Sequence, residues 1–291
     1  MTTFGTTLFA TDLSERARAA FPVVRALSQG GRVVVLHVVE QVLFAASEGS
    51  SSGAGLPVFW PSDSPSHRAA IQEQLRETHS ADGLTQVEYQ VRDGDPAEEV
   101  LRAAQEANAD LIAVATHERR GLDRLLSGSV AETILGRAHC AVLVHHLPED
   151  LLVQTEPSRL VIHPTDFSSA SGCAFAVASA LAREQGARLL LLHVAAPGTG
   201  DEEAIVRNLE SLRRQAEAAG LTGAVEVRAA EGEPVAEILR TAVEAAGSTL
   251  VLGTHGRTGL GRILLGSTAQ AVLRDASRPA VIVKPGAGPT L

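Results

Sequence analysis

The sequence predicts an α/β protein built from two tandem doubly wound domains, each a parallel sheet of about five strands with helices on both faces. Three observations carry this. Four strings recur in the same order and at similar spacing in the two halves of the 291-residue chain. Short apolar runs without polar alternation stand where strands belong, as a sheet covered on both faces requires. Amphipathic stretches separate those runs, so strand and helix alternate.

The repeated strings come first because they decide the architecture. LFATDLS, Leu8 to Ser14, recurs as VIHPTDFS, Val161 to Ser168. VVVLHVV, Val33 to Val39, recurs as LLLLHVA, Leu189 to Ala195. DGDPAEEVLRAA, Asp93 to Ala104, recurs as EGEPVAEILRTA, Glu231 to Ala242. ATHERRGLDRLLSGS, Ala115 to Ser129, recurs as GTHGRTGLGRILLGS, Gly253 to Ser267. Order and spacing together mean duplication. The domains are expected at residues 1–147 and 157–291, with PEDLLVQTEP as the linker between them.

In the second copy Leu160 to Pro164 is a first strand and Ser169 to Gln185, rich in alanine, a first helix. The wholly apolar run Leu189 to Val194 is a second strand. Glu202 to Ala219 reads as a helix closed by Gly220, and Val225 to Ala229 as a third strand. Pro234 to Ala246 has proline in its first turn and ends at Gly247, marking a third helix. Leu250 to Gly253, Ser267 to Ala276 and Ala280 to Lys284 complete the unit as strand, helix and strand. The copies differ after strand two. There the first carries SEGSSSGAGLPVFWPSDSPS, Ser47 to Ser66, whose glycine, serine and proline content predicts a long loop. Phe59 and Trp60 read as tucking it onto its own domain, with a lid or a subunit contact as the alternative.

Composition narrows the function. Hydrophobic residues at 45% and charged residues at 20% are ordinary for a globular protein. With 34 acidic against 25 basic residues and no basic stripe, nucleic acid is not an expected partner. Lys284 is the only lysine, which excludes a Walker-type phosphate lysine. Cys140 and Cys173 fall at non-equivalent points of the copies and fit a reducing cytoplasm, not a disulfide framework or metal cluster. No apolar stretch reaches the roughly 18 residues of a spanning helix, and no membrane partner is expected.

The chemistry concentrates in the second copy. Gly253 and Gly256 are followed after nine residues by Gly266 and Ser267, so glycines run from a strand end to a helix start. Glycines let main-chain N–H groups approach a ligand. The free N–H groups and positive dipole end of the helix form an anion site, with the Ser267 hydroxyl as an added donor. Arg257 and Arg262 can add charge-assisted bonds to phosphate. Asp166, at the end of strand one, faces the same crevice if strands one and four are neighbours. A carboxylate repels phosphates, so its role is expected toward base or sugar. His37 and His193, like His117 and His255, recur in both copies and read as packing residues. His145 and His146 read as at most an adventitious metal contact, and no nucleophilic triad or catalytic residue stands out.

On these motifs both copies resemble the universal stress protein family over nearly their whole length. The second matches every position of the glycine pattern of its ATP-binding members. The resemblance implies a five-stranded parallel sheet of order 3-2-1-4-5 and an adenine nucleotide, ATP, with any magnesium arriving as its complex. It implies ligand contacts from Pro164, Thr165, Asp166, Val194, Gly253, Gly256, Arg257, Gly266, Ser267 and Thr268. It also implies that the fifth strands, Ala141 to His145 and Ala280 to Lys284, cover each other as a pseudo-dimer inside one chain, with a homodimer of chains also open.

The first copy departs from the pattern. Ala115 and Glu118 replace the first two glycines, while Asp12, Gly128 and Ser129 remain. A carboxylate about 4 Å from a phosphate, at an effective dielectric near 20, costs roughly 4 kcal/mol, or about three decades of affinity. The expected function is therefore that of a cytoplasmic ATP-binding stress-response sensor or regulator. A slow ATPase or phosphotransferase, and an interaction module without nucleotide, are the alternatives.

Overall fold

The computed structural model describes residues 2–40, 65–82, 84–116, 130–146, 159–198, 201–254 and 265–285. The first repeat runs β1 (Thr6–Ala10), α1 (Glu15–Leu27), β2 (Arg32–Val39), α2 (Pro65–Thr78), β3 (Gln86–Asp93), α3 (Pro96–Glu106), β4 (Leu111–Thr116), α4 (Val130–Arg137) and β5 (Ala141–His146). The second runs β6 (Leu160–Pro164), α5 (Ser169–Gln185), β7 (Arg188–Ala195), α6 (Glu202–Ala218), β8 (Val225–Glu231), α7 (Pro234–Glu244), β9 (Ser248–Gly253), α8 (Ser267–Asp275) and β10 (Ala280–Val283).

Helix starts follow local chemistry. Ser14, Asp95, Ser168, Asp201 and Glu233 each accept a first-turn N–H with the side chain, and proline opens α3 and α7. α2 begins at Pro65, inside the segment expected to be loop, because proline is preorganised for a first turn. Residues 47–64 of that loop, with Phe59 and Trp60, lie outside the described residues, as does the linker. β9 starts at Ser248, earlier than the apolar run suggested, and the buried Ser248 hydroxyl donates to Ala242 O at 3.3 Å.

All ten strands form one sheet of order β3-β2-β1-β4-β5-β10-β9-β6-β7-β8, so each repeat has the order 3-2-1-4-5. Pairing is parallel within the repeats and antiparallel between β5 and β10. The edge strands of the two repeats thus cover each other. Their register places Val281 opposite Leu143 and Ile282 opposite Val142. Exchanging equivalent positions of the repeats maps that register onto itself, the signature of a local twofold axis between the strands.

Because the axis preserves sheet faces, the core is two continuous layers. One holds α1, α2, α5 and α6 around Phe9, Phe21, Val161 and Leu181. The other holds α3, α4, α7 and α8 around Ile112, Ile134, Ile162 and Leu273. Among the side chains that tie the repeats across these layers, Glu184 accepts the Thr3 N–H at 2.8 Å. Gln185 Nε2 donates to Ala26 O at 3.3 Å on the first face. On the second, the Lys284 ammonium donates to Ala138 O at 2.7 Å and Gly136 O at 3.2 Å, at the C-terminal end of α4. A cation there meets the negative end of the helix dipole.

Candidate functional site

In the second repeat β6 lies between β7 and β9, and its helix α5 packs on the opposite face of the sheet from α8. The winding direction therefore reverses between β6 and β9, and the crevice beyond their carboxyl ends is the expected place for a ligand. Asp166 and Gly253 both stand at that end.

The turn from β6 into α5 is held residue by residue. Thr165 Oγ1 accepts the Phe167 N–H at 3.1 Å, Asp166 Oδ1 accepts the Ser168 N–H at 3.1 Å, and Ser168 Oγ accepts the Ser171 N–H at 3.2 Å. Three short polar side chains in series force a tight entry, and Phe167 sits at φ 61°, unusual for a bulky residue. The His193 ring donates from Nδ1 to Thr165 O at 2.8 Å and stacks on Phe167 at 4.6 Å between centroids. The first repeat has the same turn: Leu13 lies at φ 64°, Asp12 accepts the Ser14 N–H, and His37 Nδ1 reaches Thr11 O at 2.9 Å. The recurrent His37 and His193 are accordingly braces for this turn, in keeping with their reading as packing residues.

Gly253 has a reason that the motif did not reveal. A Cβ built on it would lie 2.7 Å from Ala170 O, 2.8 Å from Ala170 C and 3.1 Å from Ser171 N, all backbone of the first turn of α5. The glycine lets helix and strand end approach each other. Whatever it offers a ligand, packing already demands it.

Gly266 and Ser267 are brought beside the β9 end by a bond from Gly266 N–H to Thr254 O. Gly266 takes the capping position of α8 at φ −60° and ψ 150°, and no side chain caps that helix. Every other described capping residue has a side chain that does so. Ser267 and Thr268 are exposed at this uncapped end, and an anion is the ligand that free first-turn N–H groups suit. Val194 lies at the end of β7, across β6 from Gly253, and is half-buried. Pro164, Thr165, Asp166, Val194, Gly253, Gly266, Ser267 and Thr268 are thus gathered at one end of the sheet. Gly256, Arg257, Arg262 and His255 lie outside the described residues, as do His117, Glu118, Gly128 and Ser129 in the first repeat.

Sequence reasoning passed over His163. It is fully buried, donates from Nδ1 to Val251 O at 2.9 Å, and has the Ser171 hydroxyl 3.3 Å from Nε2. The same hydroxyl oxygen lies 2.8 Å from Thr165 Oγ1. Burial pushes the His163 pKa down to about 4, so the ring is neutral near pH 7. A polar residue inside the apolar run LVIHP, where the first repeat has Phe9, was the signal available. Among the described residues no group of three or more His, Cys, Asp or Glu side chains is placed to hold a metal ion, and no helix is long and apolar enough to cross a membrane.

The universal stress protein family model matches residues 3–146 and 158–284. A universal stress protein of Mycolicibacterium smegmatis is 30% identical over 227 residues, covering 74% of this chain and 73% of that protein. One from Thermus aquaticus is 37% identical over 135 residues, 43% of this chain and 98% of its own length. Among solved structures, a universal stress protein from Archaeoglobus fulgidus superposes with a TM-score of 0.70 at 23% identity, covering 96% of each chain, a likeness of fold.

Proposed function

The chain belongs to the universal stress protein family, and on that premise we propose that it is a cytoplasmic stress-response regulator whose second repeat binds an adenine nucleotide, ATP. The observation that carries this reading is the uncapped start of α8 at Gly266 and Ser267, held against the end of β9 at the sheet's switch point. The donor set suits phosphate: main-chain N–H groups of the first helical turn and exposed hydroxyls on Ser267 and Thr268. From the glycine pattern, Gly256 and Arg257 join them. The turn at Pro164, Thr165 and Asp166, with Val194 beside it, takes the nucleoside end, where a carboxylate suits sugar or base better than phosphate.

Binding at one repeat follows from Ala115 and Glu118 in the other. Calorimetry on ligand-free protein is expected to give one ATP per chain at roughly micromolar Kd. At a hundredfold excess over Kd, binding stabilises the folded chain by about 2.7 kcal/mol. Mass spectrometry of ligand released on denaturation identifies what the protein carries when purified. No heat and no thermal shift with ATP overturns the proposal, and a stoichiometry of two overturns the inequality of the repeats.

A further inference from the structure

The buried His163 has a structural partner with an unusual need. Leu250 N–H donates to Pro279 O, on the β10 side of β9. Strand alternation therefore turns the carbonyl of Val251 toward β6. The register Ile162↔Leu250 would, if continued, set His163 opposite Val251. In a parallel ladder the amide one residue further along β6 would then bond that carbonyl. That residue is Pro164, which has no N–H. A buried carbonyl is seldom left unpaired, and here the His163 side chain supplies the missing donor at 2.9 Å.

The ladder shows the consequence. β6 pairs with β9 only from Leu160↔Ser248 to Ile162↔Leu250. In the first repeat the equivalent strands stay paired through Phe9↔Ala113 and Ala10↔Val114. β6 nevertheless continues with β7 to Pro164↔Leu192, and β9 with β10 to Val283↔Gly253. The ladder between β6 and β9 thus stops short, and it does so at the seam where the winding direction reverses. By the same alternation the amide of Gly253 points across that seam toward β6. The first repeat has Phe9, Ala10 and Ala17 where the second has His163, Pro164 and Ser171.

We propose that Pro164 and His163 form a wedge that holds the seam between β6 and β9 open as the slot for the nucleoside end of the ligand. Phe9 and Ala10 keep the corresponding seam of the first repeat closed. The proposal rests on the second repeat being the nucleotide-binding one, and it makes His163 a positioning residue with no ligand contact of its own. It also gives the repeats a second cause of inequality, independent of Ala115 and Glu118.

Two measurements read the wedge without ligand. In nitrogen-15 NMR of histidine rings, one ring, identified by its loss in His163→Asn, is expected to carry its proton on Nδ1 and to keep it there between pH 5 and 8. In Pro164→Ala the new amide at position 164 is expected to bond Val251 O and exchange at least a hundredfold more slowly than an open amide. A third measurement reads the slot. The double variant His163→Phe with Pro164→Ala, which copies the first repeat, is expected to weaken ATP binding at least tenfold while melting cooperatively. His163→Asn, whose amide nitrogen takes the place of Nδ1, is expected to stay within threefold of the parent. A ring protonated on Nε2, or a freely exchanging amide at 164, overturns the wedge. A double variant that binds ATP like the parent overturns its role in the slot. Absence of ATP binding by the parent chain overturns both the proposed function and the slot, while the ring and amide measurements still decide whether the wedge exists.

Discussion

Replacing Gly253 with alanine tests whether this glycine serves packing or only ligand access. The added methyl would lie 2.7 Å from Ala170 O and 2.8 Å from Ala170 C. Ordinary van der Waals contact begins near 3.4 Å, so helix and strand end must separate by about 0.7 Å. The obstructing atoms are backbone, so no side-chain rotation relieves the contact. α5 is also poorly placed to move, because Ala174, Ala178, Leu181 and Ala182 are buried along it. Overpacking of this kind costs about 1–3 kcal/mol, and rigid backbone places the case near the upper end. The lower entropy of the unfolded alanine chain returns about 0.4–1 kcal/mol. The expected net loss is about 2 kcal/mol, or roughly 4–8 °C in melting temperature. The assay is urea unfolding and thermal melting of nucleotide-free protein, compared with Gly247→Ala, where a methyl would meet nothing within 4 Å but the backbone lies at φ +70°. If Gly253→Ala melts at or above the parent temperature, the helix yields and the packing argument is refuted.

Three further outcomes follow from the geometry. Lys284→Met should cost about 1.5–3 kcal/mol, the range for hydrogen bonds to a charged group, because it strips the cation from two carbonyls at the end of α4; a variant as stable as the parent in urea would show that this link between repeats carries no stability. His163 takes up a proton near its ordinary value of 6.5 when unfolded but only at about 4 when buried, so between those pH values the unfolded chain binds more protons. Stability is then full above pH 6.5 and falls by about 3 kcal/mol toward pH 4 on account of this ring; urea titrations should show a shallower fall in His163→Asn, and an unchanged slope would contradict the assignment. Gly266→Asp should cap α8 and raise stability by about 0.3 kcal/mol without nucleotide while cutting ATP affinity at least tenfold; unchanged affinity would remove the helix start from the phosphate site.

The order of elements, the duplication and the glycine pattern were legible in the sequence because each is local. Apolar runs, a serine or proline at a helix start and a glycine at a fixed spacing declare themselves within a few residues. The same locality explains why the uncapped start of α8 was readable from Gly266 and Ser267, and why strand order was not read from periodicity and came through the family resemblance. Other facts belong to the tertiary structure alone. Gly253 is required by the first turn of α5, about eighty residues earlier in the chain, and a glycine's absence of side chain does not say which neighbour needs the space. His163 bonds a carbonyl 88 residues away, and Lys284 reaches carbonyls 146 and 148 residues away in the other repeat. A hydrogen bond between strands is set by register and by which face each carbonyl takes, and these exist only once the sheet has formed. The sequence alone thus determined that a glycine and a serine open the last helix of the second repeat; only the assembled sheet decided that a buried histidine beside a proline supplies the donor for the carbonyl of Val251.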